Sequence, residues 1–364
     1  MKLVHRMLLI YFCLYLFGLL LFWGGLGIYK DYLFITATVY GCFLITLTWK
    51  VNHRLIFPKG FHLFVGILLL LILNLLWSVD KTNTITYFKL LFTGCLFWLV
   101  SYNLRGSYKD KITRLLIGIG IVFAIYFFLG LVFADSPYVR WSPFFYNRAF
   151  NHFHIGDLWV VILVIFVNLS ISKFRPWYAP IILLGVILLI ISLSRSAYVA
   201  LVAGAVILTK RNIGKKGGII IKGLILIVIS IFIFAGLLKP TLLERPYYIQ
   251  AIMGFFKYPL GVGMGNFYQI SSIFTNNAWV GFPNLSTYAH NIILEFIAGL
   301  GMFGLIFLYW LFRVTEGIWR GSGEVLYKAI FIAITINFMF DYTYVIPTIL
   351  WIWFVSLGLA QKET

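Results

Sequence analysis

The sequence predicts an all-α polytopic membrane protein with about twelve transmembrane helices, and three observations carry that prediction. Of the 364 residues, 62% are hydrophobic and 11% charged, whereas a soluble domain is roughly 45–50% apolar and about 25% charged. The mean hydropathy is +0.97. Apolar runs of helical length recur at 7–28, 32–49, 61–78, 86–103, 112–134, 155–171, 177–192, 195–209, 219–238, 291–312, 325–343 and 345–361, and about 20 such residues cross a bilayer core. Little chain is left over, so residues 1–364 read as a single transmembrane domain.

Taken in order, the first run follows Lys2 and Arg6. It is too long for the apolar region of a signal peptide and lacks a small-residue cleavage site, so it reads as a retained helix. Cys13, Cys42 and Cys95 each lie inside an apolar run, which fits small core residues and neither a disulfide framework nor a metal spacing. The stretch from Trp177 to Thr209 is apolar except for Ser192-Leu-Ser-Arg-Ser196. As one helix it would reach about 50 Å at 1.5 Å per residue, against a core of about 30 Å. Two helices and a tight hairpin fit better, with Arg195 at the hairpin.

The net charge of +18 comes from 29 Lys+Arg against 11 Asp+Glu. With the N-terminus in the cytoplasm, only Lys30, Lys81, Lys89, Arg140, Arg148, Arg195, Lys239, Arg245 and Lys257 fall outside, and the remaining twenty basic residues lie on the cytoplasmic side. That bias is the positive-inside pattern. It places both termini in the cytoplasm and makes most of the charge a matter of topology rather than nucleic-acid binding. The outer face then carries one long segment at 135–154 and another at 239–290, between helices nine and ten. The second contains Pro240, Pro246, Pro259, Pro283 and the run Gly261-Val-Gly-Met-Gly265. Long loops in compact domains are usually functional, which locates the candidate site on the extracytoplasmic side.

Arginines stand out there. An arginine at membrane depth is costly unless it is paired or lines a wet cavity, which singles out Arg195. Arg140, Arg148 and Arg245 lie on the side that the positive-inside rule depletes. Their planar forks of donors suit a diphosphate, although snorkelling at a helix end and scattered loop charge explain single arginines equally well. His290 stands where the long loop meets the tenth helix, in Ser286-Thr-Tyr-Ala-His-Asn-Ile-Ile-Leu-Glu295. A histidine at a helix N-terminus is suited to act as a neutral base, because the helix dipole disfavours the imidazolium; capping without chemistry is the alternative. Asn291 and Glu295 take supporting roles, Glu295 being an acid inside a crossing that should face the protein interior, to orient a substrate or pair with an arginine. His152 and His154 lack a third ligand. Gly299-Leu-Gly-Met-Phe-Gly304 fits a dinucleotide fingerprint but lies inside a membrane helix, where close helix packing is the better reading. No D-x-D pair is present to hold a metal and a nucleotide sugar. No metal or cofactor is expected.

Three segments resemble the C-terminal signature of the O-antigen polymerase and ligase family: Ser192-Leu-Ser-Arg-Ser-Ala197; Arg245 followed by Lys257-Tyr-Pro-Leu-Gly-Val-Gly-Met-Gly-Asn-Phe267; and Ala289-His-Asn-Ile-Ile-Leu-Glu-Phe-Ile-Ala-Gly-Leu-Gly-Met-Phe-Gly304. The likeness covers roughly residues 180 to 312, and the N-terminal half resembles the family in hydropathy only. The resemblance implies a GT-C type membrane glycosyltransferase at the outer face of the cytoplasmic (inner or plasma) membrane, taking a glycan from undecaprenyl diphosphate. It further implies that His290 activates the acceptor hydroxyl, that Arg195 and Arg245 hold the diphosphate, and that Arg140 and Arg148 assist. Such an enzyme would use the lipid-linked oligosaccharide as both donor and acceptor, beside a flippase and a chain-length regulator of the same pathway. Phe-, Ile- and Lys-rich usage, with 36 Phe, hints at an AT-rich Gram-positive genome and favours a capsular or exopolysaccharide polymerase. Ligase-type transfer of a finished glycan to another acceptor stays open. A transporter of lipid-linked oligosaccharide is the alternative from another class; the short Ser172–Pro176 connection and polar residues gathered at one surface speak against it.

Overall fold

The computed structural model describes residues 30–104, 194–209, 246–274 and 285–361, with scattered positions within 114–226. Among the described residues there is no strand. The α-helices are α1 (Lys30–Asn52), α2 (Phe61–Asn74), α3 (Lys81–Asn103), α4 (Arg195–Thr209), α5 (Pro246–Lys257), α6 (Phe267–Phe274), α7 (Ile292–Leu300), α8 (Leu305–Arg320), α9 (Val325–Phe338) and α10 (Pro347–Gln361). Asp31–Lys50, Lys81–Asn103 and Ile292–Arg320 are long and apolar enough to cross a membrane, and α2, α4, α9 and α10 supply shorter apolar helices. The apolar runs expected at 7–28, 112–134, 155–171, 177–192 and 219–238 lie outside the described residues.

The helices begin where local chemistry lets them. The side chain of Asp80 accepts from the amides of Thr82 (2.8 Å) and Asn83 (3.4 Å), satisfying two orphan donors of α3. This starts the helix five residues before its apolar run. Arg195 opens α4, at the polar interruption predicted to turn the chain. The Tyr198 hydroxyl donates to the Leu189 carbonyl at 3.1 Å. One continuous helix would hold residues nine apart roughly 13 Å from each other, so the chain does not run straight through this point.

α10 is buried on every side between α3 and α9, while α4 packs on α9 and α1 on α3. Small residues permit the approach: a Cβ at Gly94 would enter the Phe354 ring, and one at Gly358 would land on the Ser101 hydroxyl. In lipid, helices associate through such packing rather than through hydrophobic expulsion. The space is filled by rings: Trp310 meets Phe64 at 4.7 Å and Trp353 at 5.7 Å between centroids, and Phe331 stacks on Trp353. At one end of this bundle the Gln361 amide donates to the Lys59 carbonyl and the Trp98 indole to Gln361. The other end carries Asn74, Asp80, Ser196 and Asp341, the termini of α2, α3, α4 and α9.

The predicted tenth crossing, 291–312, falls within the candidate span Ile292–Arg320, but that stretch is not one straight helix. A 3-10 turn at Gly301–Gly304 separates α7 from α8, and the Phe296 ring stacks on that of Phe307 with centroids 3.7 Å apart. Eleven residues of straight helix would separate them by about 16 Å. The chain folds sharply back because Gly301 adopts φ 60 and Gly304 lies against the Phe296 carbonyl. At its start α7 meets Met339, and at its end Asn74, so it lies across one end of the bundle instead of continuing α8. The segment 239–290 is likewise not a plain loop, since it contains α5 and α6.

Candidate functional site

The Gly261–Gly265 run builds the floor that holds α7. The Val262 and Gly263 amides donate to the Ala298 and Gly299 carbonyls (3.1 and 2.9 Å), and the Met302 amide donates to the Pro259 carbonyl (2.8 Å). Carbonyls of the last turn of α7, orphaned where the helix ends, are thereby satisfied. Gly263 makes this contact at φ 97, with its Cα against the Ser78 side chain, where no other residue fits. Asn266 ties the same turn to α3, its amide donating to the Ser78 hydroxyl (3.0 Å) and its carbonyl oxygen accepting from Asn83 (3.1 Å).

At the opposite end of α7, Asn291 caps the helix, its side-chain oxygen accepting from the amides of Ile293 and Leu294 (2.9 and 3.1 Å) while its amide donates to the Met339 carbonyl (2.9 Å). The supporting role expected of Asn291 is thus an N-cap. His290 precedes it with φ 52, a left-handed conformation that few residues other than glycine adopt. The Tyr248 hydroxyl lies 3.2 Å from the His290 carbonyl and 3.0 Å from that of Met339. The imidazole is stacked on Tyr247 with centroids 4.5 Å apart and meets the edge of Tyr342 at 4.8 Å; Tyr342 in turn stacks on Tyr288. Burial, and after it the nearby Glu295 carboxylate, hold the Tyr288 phenol above its usual range.

Asp341 is the residue that the sequence reading missed. Its Oδ1 stands 3.7 Å from His290 Nδ1, a charge contact longer than a hydrogen bond. Its Oδ2 accepts from the Ser196 hydroxyl at 3.2 Å, and Ser196 is 3.0 Å from Ser194. The rule that singled out Glu295, an acid within an apolar run, applies equally to Asp341, which lies two residues inside the end of the predicted run 325–343. Through it the hairpin motif reaches the His290 motif, which the start of α5 meets separately through Tyr247 and Tyr248.

Glu295 faces the interior as expected, and its partners there are donors of the protein itself. Buried, it accepts from the Ala289 amide (2.8 Å), the Tyr344 hydroxyl (3.0 Å) and the Tyr87 hydroxyl (3.3 Å). These three neutral donors make it a tie between α7, α3 and the turn before α10. Of the four arginines, Arg195 is placed only by its backbone, as the first residue of α4 and next to Ser196. Arg245 adjoins the first residue of α5 but lies outside the described residues, as do Arg140, Arg148, His152 and His154. Among the described residues no group of three His, Cys, Asp or Glu side chains is placed to hold a metal ion.

No protein-family model matches this chain, and a search of curated proteins finds no match either.

Proposed function

We propose that this chain is a membrane glycosyltransferase of the GT-C type that joins undecaprenyl-diphosphate-linked oligosaccharide units into a capsular, exopolysaccharide or O-antigen polymer at the outer face of the cytoplasmic membrane. The observation that carries the reading is the convergence just described. Three segments far apart in sequence, each resembling part of one family signature, are joined: Ser196 reaches His290 through Asp341, Val262 and Gly263 bind the far end of the helix that His290 precedes, and Tyr247, two residues from Arg245, stacks on the imidazole. The positive-inside bias puts that end of the bundle on the outer face.

In this reading the acceptor hydroxyl loses its proton to His290 Nε2, the ring nitrogen turned away from Asp341, as its oxygen bonds to the anomeric carbon of the donor. The bond from that carbon to the diphosphate breaks, and undecaprenyl diphosphate leaves with the electron pair. Asp341 stabilises the imidazolium that forms. Arg195 and Arg245, with Arg140 and Arg148, bind the diphosphate and neutralise charge developing on the leaving oxygen. The chemistry calls for no cofactor. Its partners are the lipid-linked oligosaccharide, as donor and acceptor, and the flippase and chain-length regulator of such a pathway.

The test is a membrane reconstitution with lipid-linked repeat units. His290→Ala should abolish polymer while unreacted repeat units accumulate, and Arg195→Lys should weaken donor binding because a point charge cannot replace a bidentate fork. Wild-type chain lengths in His290→Ala would rule the mechanism out.

A further inference from the structure

We infer that α5 is an in-plane membrane helix whose Ile249–Ile252–Phe256 edge is seated in the bilayer, at the boundary between headgroups and hydrocarbon. These residues follow i, i+3, i+7 spacing and so share one edge of the helix. They are 50%, 49% and 77% exposed. The opposite edge, Gln250, Ala251 and Gly254, is buried, and Gly254 rests on Ile270 of α6. Twelve residues make a helix about 18 Å long, too short to cross a core of about 30 Å.

The apolar edge does not end with the helix. Leu260 follows it, 49% exposed, and its carbonyl accepts from the Trp77 indole at 2.8 Å. That bond joins α5 to the end of α2, where Leu76 (79%) and Val79 (58%) are exposed as well. The surface is therefore continuous with the outward side of an apolar helix of the bundle, and what covers the one covers the other. A patch of this kind facing water would be a liability. Lys257, whose ammonium lies 5.8 Å from the Tyr258 ring, and Trp77 supply the aromatic and basic groups that favour the headgroup level. An in-plane amphipathic helix buries its apolar face to about 5–10 Å. Because Tyr247 of the same helix stacks on His290, the seat sets His290 at headgroup depth, open to a substrate that arrives laterally in the membrane.

The test is a depth measurement, independent of activity. With Cys13, Cys42 and Cys95 replaced by Ala, single cysteines are placed at Ile252 and Phe256, and at Ser272 on α6 as an aqueous reference. They are nitroxide-labelled in vesicles of phosphatidylethanolamine and phosphatidylglycerol. Collisions with oxygen relative to a water-soluble nickel chelate should be several-fold higher at Ile252 and Phe256 than at Ser272. Equal nickel access at all three overturns the inference, as does protection of Ile252 and Phe256 from both reagents, the mark of a covering protein. In the unaltered chain, a phospholipid with a diazirine on its acyl chain should leave adducts on the 246–260 peptide. Adducts on α2 without any on that peptide would equally overturn it.

Discussion

At the scale of single residues, Asp341 and Glu295 illustrate two opposite uses of a carboxylate in an apolar protein. Asp341 brings its charge within 4 Å of a histidine and bonds a serine of α4. On the mechanism proposed above, Asp341→Asn, which keeps the shape and removes that charge, should lower transfer by roughly 10²-fold, read as a lower kcat at constant KM. Glu295 is instead saturated by three donors. Glu295→Ala leaves them buried without an acceptor, at roughly 1–3 kcal/mol each. Thermal unfolding in detergent should reveal a loss of about 3 kcal/mol or more, and an unchanged melting temperature would contradict the tie. The two acids look alike in sequence, because each is a lone carboxylate in an apolar run; only the neighbours brought by other helices separate them.

At the scale of elements, α7 carries the site because it is short and turned aside. Its C-terminal carbonyls are received by Val262 and Gly263, and its turn depends on Gly301 at φ 60. At φ 60 and ψ −134 Gly301→Ala would strain the backbone by about 1–3 kcal/mol and set a methyl on the Pro259 carbonyl. Gly66, inside α2 with open space beside it, should behave oppositely, Gly66→Ala gaining about 0.5–1 kcal/mol of helix stability. Chemical denaturation of the two variants side by side checks the contrast, which disappears if α7 and α8 form one straight helix. The apolar run 291–312 gave no warning of the break: each half is apolar, and hydropathy is blind to direction. The glycines were visible, but a glycine pair in a membrane helix equally marks close packing. By contrast, the starts of α2 and α4 coincide with their predicted runs, since Gly60 directly precedes the one and the polar Ser192–Ser196 stretch interrupts the apolar sequence at the other.

At the scale of the whole molecule, α10 is the axis on which the rest is assembled, buried along its full length and pressed to α3 through Gly358 and Gly94. Gly358→Leu should force α3 and α10 apart by driving a side chain into Ser101 and the Trp98 carbonyl, a misfit of about 3 kcal/mol or more. The variant should yield little monodisperse protein in detergent; normal recovery and melting temperature would refute the packing. Composition and hydropathy by themselves determined that this is a helical chain apolar enough for a membrane and, among the described residues, where most of the helices lie, because the bilayer imposes helix length and apolarity on the chain directly; local motifs then marked His290 and the hairpin at Arg195 as the residues to follow. Only the tertiary structure decided that α7 lies across the bundle, that Asp341 stands beside His290, and that Glu295 is a structural tie. Each of these depends on contacts between residues dozens to hundreds of positions apart, and no local pattern of apolar spacing records which of them meet.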